Sequence, residues 1–234
     1  MRLYYSGVSP DNLRKAREHA PSHVHGAVWT PSKMTTSGPA SRAPYIVDNG
    51  AYAGEFDMAA WLGTLKRAKT EHPRWPDWIV WPDVFNDAEA TRELCQSLFG
   101  RDASLLPRRQ DFTRYVPFQP GLPADELFAF ARSVGADGVF VGGEQRWQRA
   151  HGAAIVERAH DRGWPVHLGN PGGADGLVWA YETGFDSADT TTVVQNQYWH
   201  YLDRLEEVTE ATGSTGPEPG DPQSAQATVT EWST

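Results

Sequence analysis

The chain has one cysteine, Cys95, only four lysines and no long apolar run. A lone cysteine excludes an internal disulfide and any cysteine-rich zinc site, and its place in the helical pattern AEATRELCQSLF makes it a small buried residue. No stretch approaches the ~20 apolar residues that a membrane-spanning helix needs, and MRLYYSGVSP enters a strand-like run without a signal-peptide core. The expectation is a soluble, cytoplasmic protein with no membrane partner. Lysine is scarce (Lys15, Lys33, Lys66 and Lys69 among 21 basic residues) and acids are in excess, a composition that suggests a high-salt or GC-rich source. A net charge of −9 argues mildly against a nucleic-acid partner. That objection weakens because six acids lie from Glu206 onward with no lysine or arginine, leaving −3 on the remainder. Basic residues also cluster locally, in PRRQDFTR (Arg108, Arg109, Arg114) and EQRWQR (Arg146, Arg149).

What is present is an alternation. Eight β-like runs (RLYYS, HGAVW, PYIVD, DWIVWPD, RYVPFQP, DGVFVGG, PVHLGN and GFDSAD) are separated by amphipathic helical patterns. The helices read DMAAWLGTLKRAK, DAEATRELCQSLF, ADELFAFARSVG, RWQRAHGAAIVERAHDRG, ADGLVWAYETG and NQYWHYLDRLEEVTE, with Gly135 and Gly163 where two of them should stop. Eight such units predict an α/β fold, a single-domain (β/α)8 TIM-type barrel over residues 1–212, with an open doubly wound sheet as second choice. The Gly-, Pro-, Ser- and Thr-rich segment 213–234 reads as a disordered acidic tail.

A barrel places its chemistry at the C-terminal ends of its strands. Those ends carry Asp48, Asp83, Gln119, the Gly142-Gly143 pair, the Gly169-Asn170-Pro171 turn, and Asp186 with Asp189. Three acids and an amide therefore converge on one mouth; each acid alone reads more simply as a helix cap or loop carboxylate, and it is their joint placement that favours a site.

In their order, VDNGAY, WPDVFNDAEAT, FQPG, VFVGGE, HLGNPGG and GFDSAD resemble the motifs of the tRNA-guanine transglycosylases and their DNA-modifying paralogues. The family's cysteine-built zinc site and its basic segment after the last strand have no counterpart here, which makes the chain more similar to the short paralogues that insert 7-deazaguanine into DNA. The resemblance implies a pentosyltransferase that exchanges guanine in DNA for a free 7-deazaguanine base through a covalent aspartyl-sugar intermediate, with no metal and no cofactor. It also implies a viral or DNA-modification setting, with other modification proteins as partners and tRNA as the alternative substrate. Carried over by position, Asp189 matches the nucleophile and Asp48 the proton-transfer acid. Asp83, Gln119, Gly142 and Gly143 match the base-reading groups, and Tyr52 could stack on the base. Arg108, Arg109, Arg146 and Arg149, with Lys33 and Arg42, are candidates for nucleic-acid backbone contacts.

Two rivals remain open. His23 and His25 in HVHG could belong to a metal-dependent barrel hydrolase, although both fall at the start of their strand, and His167 reads as a core histidine. The chain could also be a non-catalytic subunit of a transglycosylase, which its retained Asp48 and Asp189 argue against.

Overall fold

The computed structural model describes residues 1–33, 43–54, 56–72, 74–99 and 112–213. The expected tail beyond Gly213 and the candidates Arg42, Arg108 and Arg109 lie outside the described residues.

Eight parallel strands close into a barrel in sequence order: β1 Arg2–Ser6, β2 Val24–Trp29, β3 Tyr45–Val47, β4 Ile79–Val80, β5 Arg114–Phe118, β6 Gly138–Val141, β7 Val166–Leu168 and β8 Ser187–Asp189. Closure is made by β8 on β1, with Arg2 opposite Ser187 and Tyr4 opposite Asp189. Around it run α1 Pro10–His19, α2 Met58–Glu71, α3 Ala88–Phe99, α4 Ala124–Ser133, α5 Gln145–His160, α6 Ala174–Thr183, α7 Thr192–Asn196 and α8 His200–Thr212. The expected (β/α)8 barrel is therefore the observed fold. No helix among the described residues is long and apolar enough to cross a membrane.

Local chemistry sets the boundaries. The Ser9 hydroxyl accepts from the Asn12 amide to open α1 just before Pro10, and the Asp57 carboxylate accepts from Ala60 N to open α2. After α4 and α5 the chain turns through Gly135 and Gly163 at φ of +66° and +67°, a left-handed conformation that costs glycine little. The C-terminal helix expected from Asn196 starts only at His200, because Gln197 takes φ +54°, and the short α7, not read from the sequence, precedes it. α1 is an addition to the helices read from sequence; its strongly polar pattern PDNLRKAREH buries only Leu13 and Ala16 fully.

The strand period of two divides the apolar residues into two layers. Leu3, Tyr5, Val139, Val141, Leu168 and Ala188 face the helices, whereas Tyr4, Val28, Ile46, Trp78, Val80 and Tyr115 fill the barrel interior with Phe140 against them. Stacking of Trp78 on Tyr115, with centroids 4.2 Å apart, occupies the barrel centre. Gly138 makes that possible, since a Cβ there would lie 2.6 Å from the Tyr115 ring. The N-terminal end is closed by polar groups: Asp77 accepts from Tyr4 Oη at 2.6 Å and from Arg2 Nη1 at 3.0 Å, and Arg74 Nη2 approaches its other oxygen at 3.4 Å.

His23 and His25 lie at the N-terminal end of β2. His25 Nε2 donates to the Ala20 carbonyl at 2.7 Å and its Nδ1 accepts from Tyr5 Oη at 2.8 Å, while His23 Nε2 meets Thr209 Oγ1 at 3.0 Å. Both lie at the opposite end of the strands from Asp189, which is at the mouth, so the pair cannot share a metal with it. Burial pushes both imidazoles down to about 4. Between that value and the ~6.5 of an unfolded histidine, only the unfolded chain binds the protons, so stability falls as pH drops from about 6.5 to 4. His23→Gln/His25→Gln is expected to flatten that loss. Urea midpoints of the variant and the parent measured from pH 7 to 4 check it, and equal slopes would refute it.

Candidate active site

The first acid is delivered by the end of β3. Asp48 N donates to the Trp29 carbonyl at 2.8 Å, continuing the sheet for one residue, and the chain then reverses through Gly50 at φ +83°. The turn is held by its own side chains: Gly50 N donates to Asp48 Oδ1 at 3.1 Å and Ala51 N to Asn49 Oδ1 at 2.8 Å. Asn49 Nδ2 then reaches across to β4, donating to the Trp81 carbonyl at 2.7 Å and to Asp83 Oδ1 at 2.8 Å.

The other oxygen of Asp83 accepts from Gln119 Nε2 at the end of β5, and Gln119 Oε1 accepts from Asn86 N at 3.0 Å. Asp83 is thus a buried hub between two amides. Gly142 allows it, because a Cβ there would sit 2.5 Å from Gln119 Nε2. Gly143, at φ +76°, backs onto Pro120.

Asp189 ends β8. It accepts from Asn170 N at 3.3 Å and from His167 Nε2 at 3.0 Å. His167 is fully buried, and burial holds its pKa below the usual imidazole range in spite of the Asp189 carboxylate. A neutral ring beside a carboxylate must carry its proton on Nε2, so Nδ1 is left to accept from Ser187 Oγ at 2.8 Å. By its place inside a strand, His167 reads from sequence as a core histidine. What would have revealed it is register: His167 pairs with Ser187 across β7 and β8, two residues before Asp189 on the same face.

The two ends of GFDSAD separate. Asp186 precedes β8 on the opposite side of the barrel from the mouth, where Oδ2 accepts from Val166 N at 2.7 Å and lies 2.9 Å from His160 Nε2.

Electrostatics then distinguish the acids. Burial first, and next the charges of Asp189 and Asp83, push Asp48 up to about 7 against the hydrogen bonds it accepts from Gly50 and Asn49. Asp83 rises to about 6 through burial, opposed by the Asn49 and Gln119 amides. Near neutral pH, Asp48 is poised to hold a proton beside an Asp189 fixed by His167.

The remaining candidates are dispersed. Tyr52 stands on the rim, 70% exposed, in edge-to-face contact with Phe85. Arg146 lines a shallow depression with Asn86, Pro120, Glu144 and Trp147. The Arg149 guanidinium packs 4.3 Å from the Trp179 ring and donates to the Asp175 carbonyl. Lys33 is exposed and bridges to Thr30.

No family model and no curated protein matches the chain. Solved structures do. A candidate fructose-1,6-biphosphate aldolase from Coccidioides immitis superposes with a TM-score of 0.60 at 14% identity, over 92% of this chain and 90% of that one. The native KDPGal structure gives 0.53 at 10% identity, over 91% and 95%. A cube-shaped, highly porous protein cage designed by fusing symmetric oligomeric domains gives 0.50 at 12%, over 97% and 77%. At these identities the likeness establishes the barrel alone.

These neighbours correct the transglycosylase expectation. The fructose-1,6-biphosphate aldolase and KDPGal structures are not transglycosylases, and the comparisons do not support the transferase class, the exchange of guanine for 7-deazaguanine or the role in DNA modification. The tRNA and accessory-subunit versions rest on the same resemblance and fall with it.

Proposed function

We propose that the mouth is the active site of a lyase that cleaves or forms a carbon–carbon bond next to a carbonyl by carboxylate acid–base catalysis. The observation that carries this reading is the pairing of Asp48, pushed up to about 7, with an Asp189 anchored by His167. A carboxyl pushed up to about 7 suits the acid, and the carboxylate that His167 and Asn170 N hold in place suits the base. The likeness to aldolase barrels supports the same reaction class.

In the cleavage direction the Asp189 carboxylate takes the proton of a hydroxyl β to the carbonyl. The carbon–carbon bond breaks, its electron pair moves to the carbonyl oxygen, and that oxygen receives the Asp48 proton, giving an aldehyde or ketone and an enol. Ketonisation of the enol and exchange with solvent return both acids to their starting states. Carbonyl polarisation by an acid fits the placement of the lysines: Lys15, Lys66 and Lys69 are on α1 and α2 and Lys33 is exposed, so no strand presents an amine for an imine.

The purified protein is tested for pyruvate release from 4-hydroxy-2-oxo acids, for dihydroxyacetone phosphate release from fructose 1,6-bisphosphate and for benzaldehyde release from 4-hydroxy-4-phenylbutan-2-one. Cleavage of one class is expected, falling as pH rises through about 7 and lost by about 10²- to 10⁴-fold in Asp189→Asn with an unchanged circular dichroism spectrum. No cleavage of any class, together with no α-proton exchange of the ketone products in D₂O, would overturn the reading.

A further inference from the structure

Five large apolar side chains are exposed among the described residues, and three of them, Tyr52, Val84 and Phe85, belong to the loops that follow β3 and β4. The Tyr52 and Phe85 rings meet edge to face, 5.0 Å apart at 87°. Tyr52 lies four residues after Asp48 and Phe85 two after Asp83, and the Asn49–Asp83 hydrogen bond ties the two loops together. The backbone under Tyr52 is fixed by the Asn49 side chain, which accepts from Ala51 N, and by the Gly54 amide, which donates to the Ala51 carbonyl at 3.3 Å.

Tyr52 is 70% exposed, and Val84 and Phe85 keep over a third of their surface in water. Water-facing aromatic surface gains nothing in folding, and a rigid apolar patch on the rim of a polar site is where a ligand's apolar part would be covered. Charge narrows the class of ligand. Among the described residues the partners of Asp48, Asp83 and Asp189 are amides, a buried neutral imidazole and one another, with no lysine or arginine on any of the three. Three acids so arranged disfavour a phosphate group in contact with them.

We propose that Tyr52 and Phe85 form a stacking shelf for a planar apolar portion of the substrate, which makes the ligand an uncharged, aryl-bearing hydroxy-carbonyl compound rather than a sugar bisphosphate. The hydroxy-carbonyl part rests on the lyase reading; the shelf rests on the rim alone.

Three probes separate the two: 4-hydroxy-4-phenylbutan-2-one, its aliphatic counterpart 4-hydroxypentan-2-one, and fructose 1,6-bisphosphate. Their dissociation constants are measured by ligand-observed NMR, and benzaldehyde release from the first is followed separately by absorbance. The aryl probe is expected to bind about tenfold more tightly than the aliphatic one. Tyr52→Ala should remove most of that preference without changing the aliphatic constant, and Tyr52→Phe should keep it. Because Tyr52 is exposed, its replacement leaves the core intact, and Phe85→Ala gives a second variant with the same expected loss. Equal binding of the two neutral probes, a preference that survives both alanine variants, or tighter binding of the bisphosphate overturns the shelf. Aryl preference without benzaldehyde release, if the other two lyase assays and proton exchange are also blank, removes the lyase reading and leaves the shelf standing. Cleavage without preference does the reverse.

Discussion

Asp48→Asn is expected to lower turnover by about 10²- to 10⁴-fold and, at the same time, to make the protein more stable above pH 7. Both effects have one cause. The fold withdraws the Asp48 carboxyl from water beside Asp189 and Asp83, pushing it up to about 7, whereas in the unfolded chain it titrates near ~3.9. Between those values the folded state holds a proton that the unfolded state has released, so the Asp48 contribution to stability falls as pH rises from about 4 to 7. Each unit of separation corresponds to ~1.4 kcal/mol, which puts the total at a few kcal/mol. Asparagine has no proton to lose and escapes the penalty. Urea unfolding of the parent and Asp48→Asn should therefore give nearly equal midpoints at pH 4 and a clearly higher one for the variant at pH 8. Equal midpoints at both values would show that Asp48 is ionised at little cost, and the acid in the proposed mechanism would be lost with it. A site residue whose removal stabilises the fold is the expected trade between function and stability.

The barrel was legible because it depends on repeated local signals. Seven of the eight β-like runs contain their strand whole and HGAVW misses only Val24 of β2, and the turn chemistry at Gly135 and Gly163 stops α4 and α5 close to where the sequence indicated. The mouth was partly legible for the same reason, since strand ends can be counted: Asp48, Asp83, Gln119 and Asp189 do lie at the ends of β3, β4, β5 and β8. Which side chains touch could not be read, because contact across a barrel depends on register and tilt. The His167–Asp189 bond needs β7 and β8 aligned at His167 and Ser187, and the capture of Asp83 by Asn49 and Gln119 needs three strands. The same limit misplaced Asp186. Three residues along a sequence looks local, but β8 is only three residues long, so Asp186 and Asp189 fall on opposite ends of the barrel. The family resemblance drew on short motifs at strand ends, and such motifs recur wherever tight turns leave a barrel strand.

The far end of the barrel carries the largest expected loss of stability. Asp77 is 8% exposed and serves Tyr4, Arg2 and Arg74 together, so Asp77→Ala leaves a buried phenol without an acceptor and a partly buried guanidinium without a counter-charge. Breaking a buried ion pair from one side costs ~3–5 kcal/mol. For a domain of this size that is roughly a 10 °C drop in Tm. Asp77→Asn retains acceptors for Tyr4 and Arg2 and should recover a large part of the loss, which a cavity effect alone would also allow. The double variant Arg2→Met/Asp77→Ala separates the two causes. If the penalty is the stranded charge, the double variant is more stable than Asp77→Ala alone, because no cation then remains to desolvate; if the penalty is lost packing, the second substitution makes matters worse. The consequence extends up the barrel. Tyr4 meets Trp78 edge-on with centroids 6.1 Å apart and meets the His167 ring at the same distance, so the ring that the Asp77 carboxylate anchors directly neighbours the imidazole that holds Asp189. Loosening the plug should therefore lower Tm first and turnover second, with the ratio of the two losses reporting how rigidly the interior aromatics transmit position to the mouth.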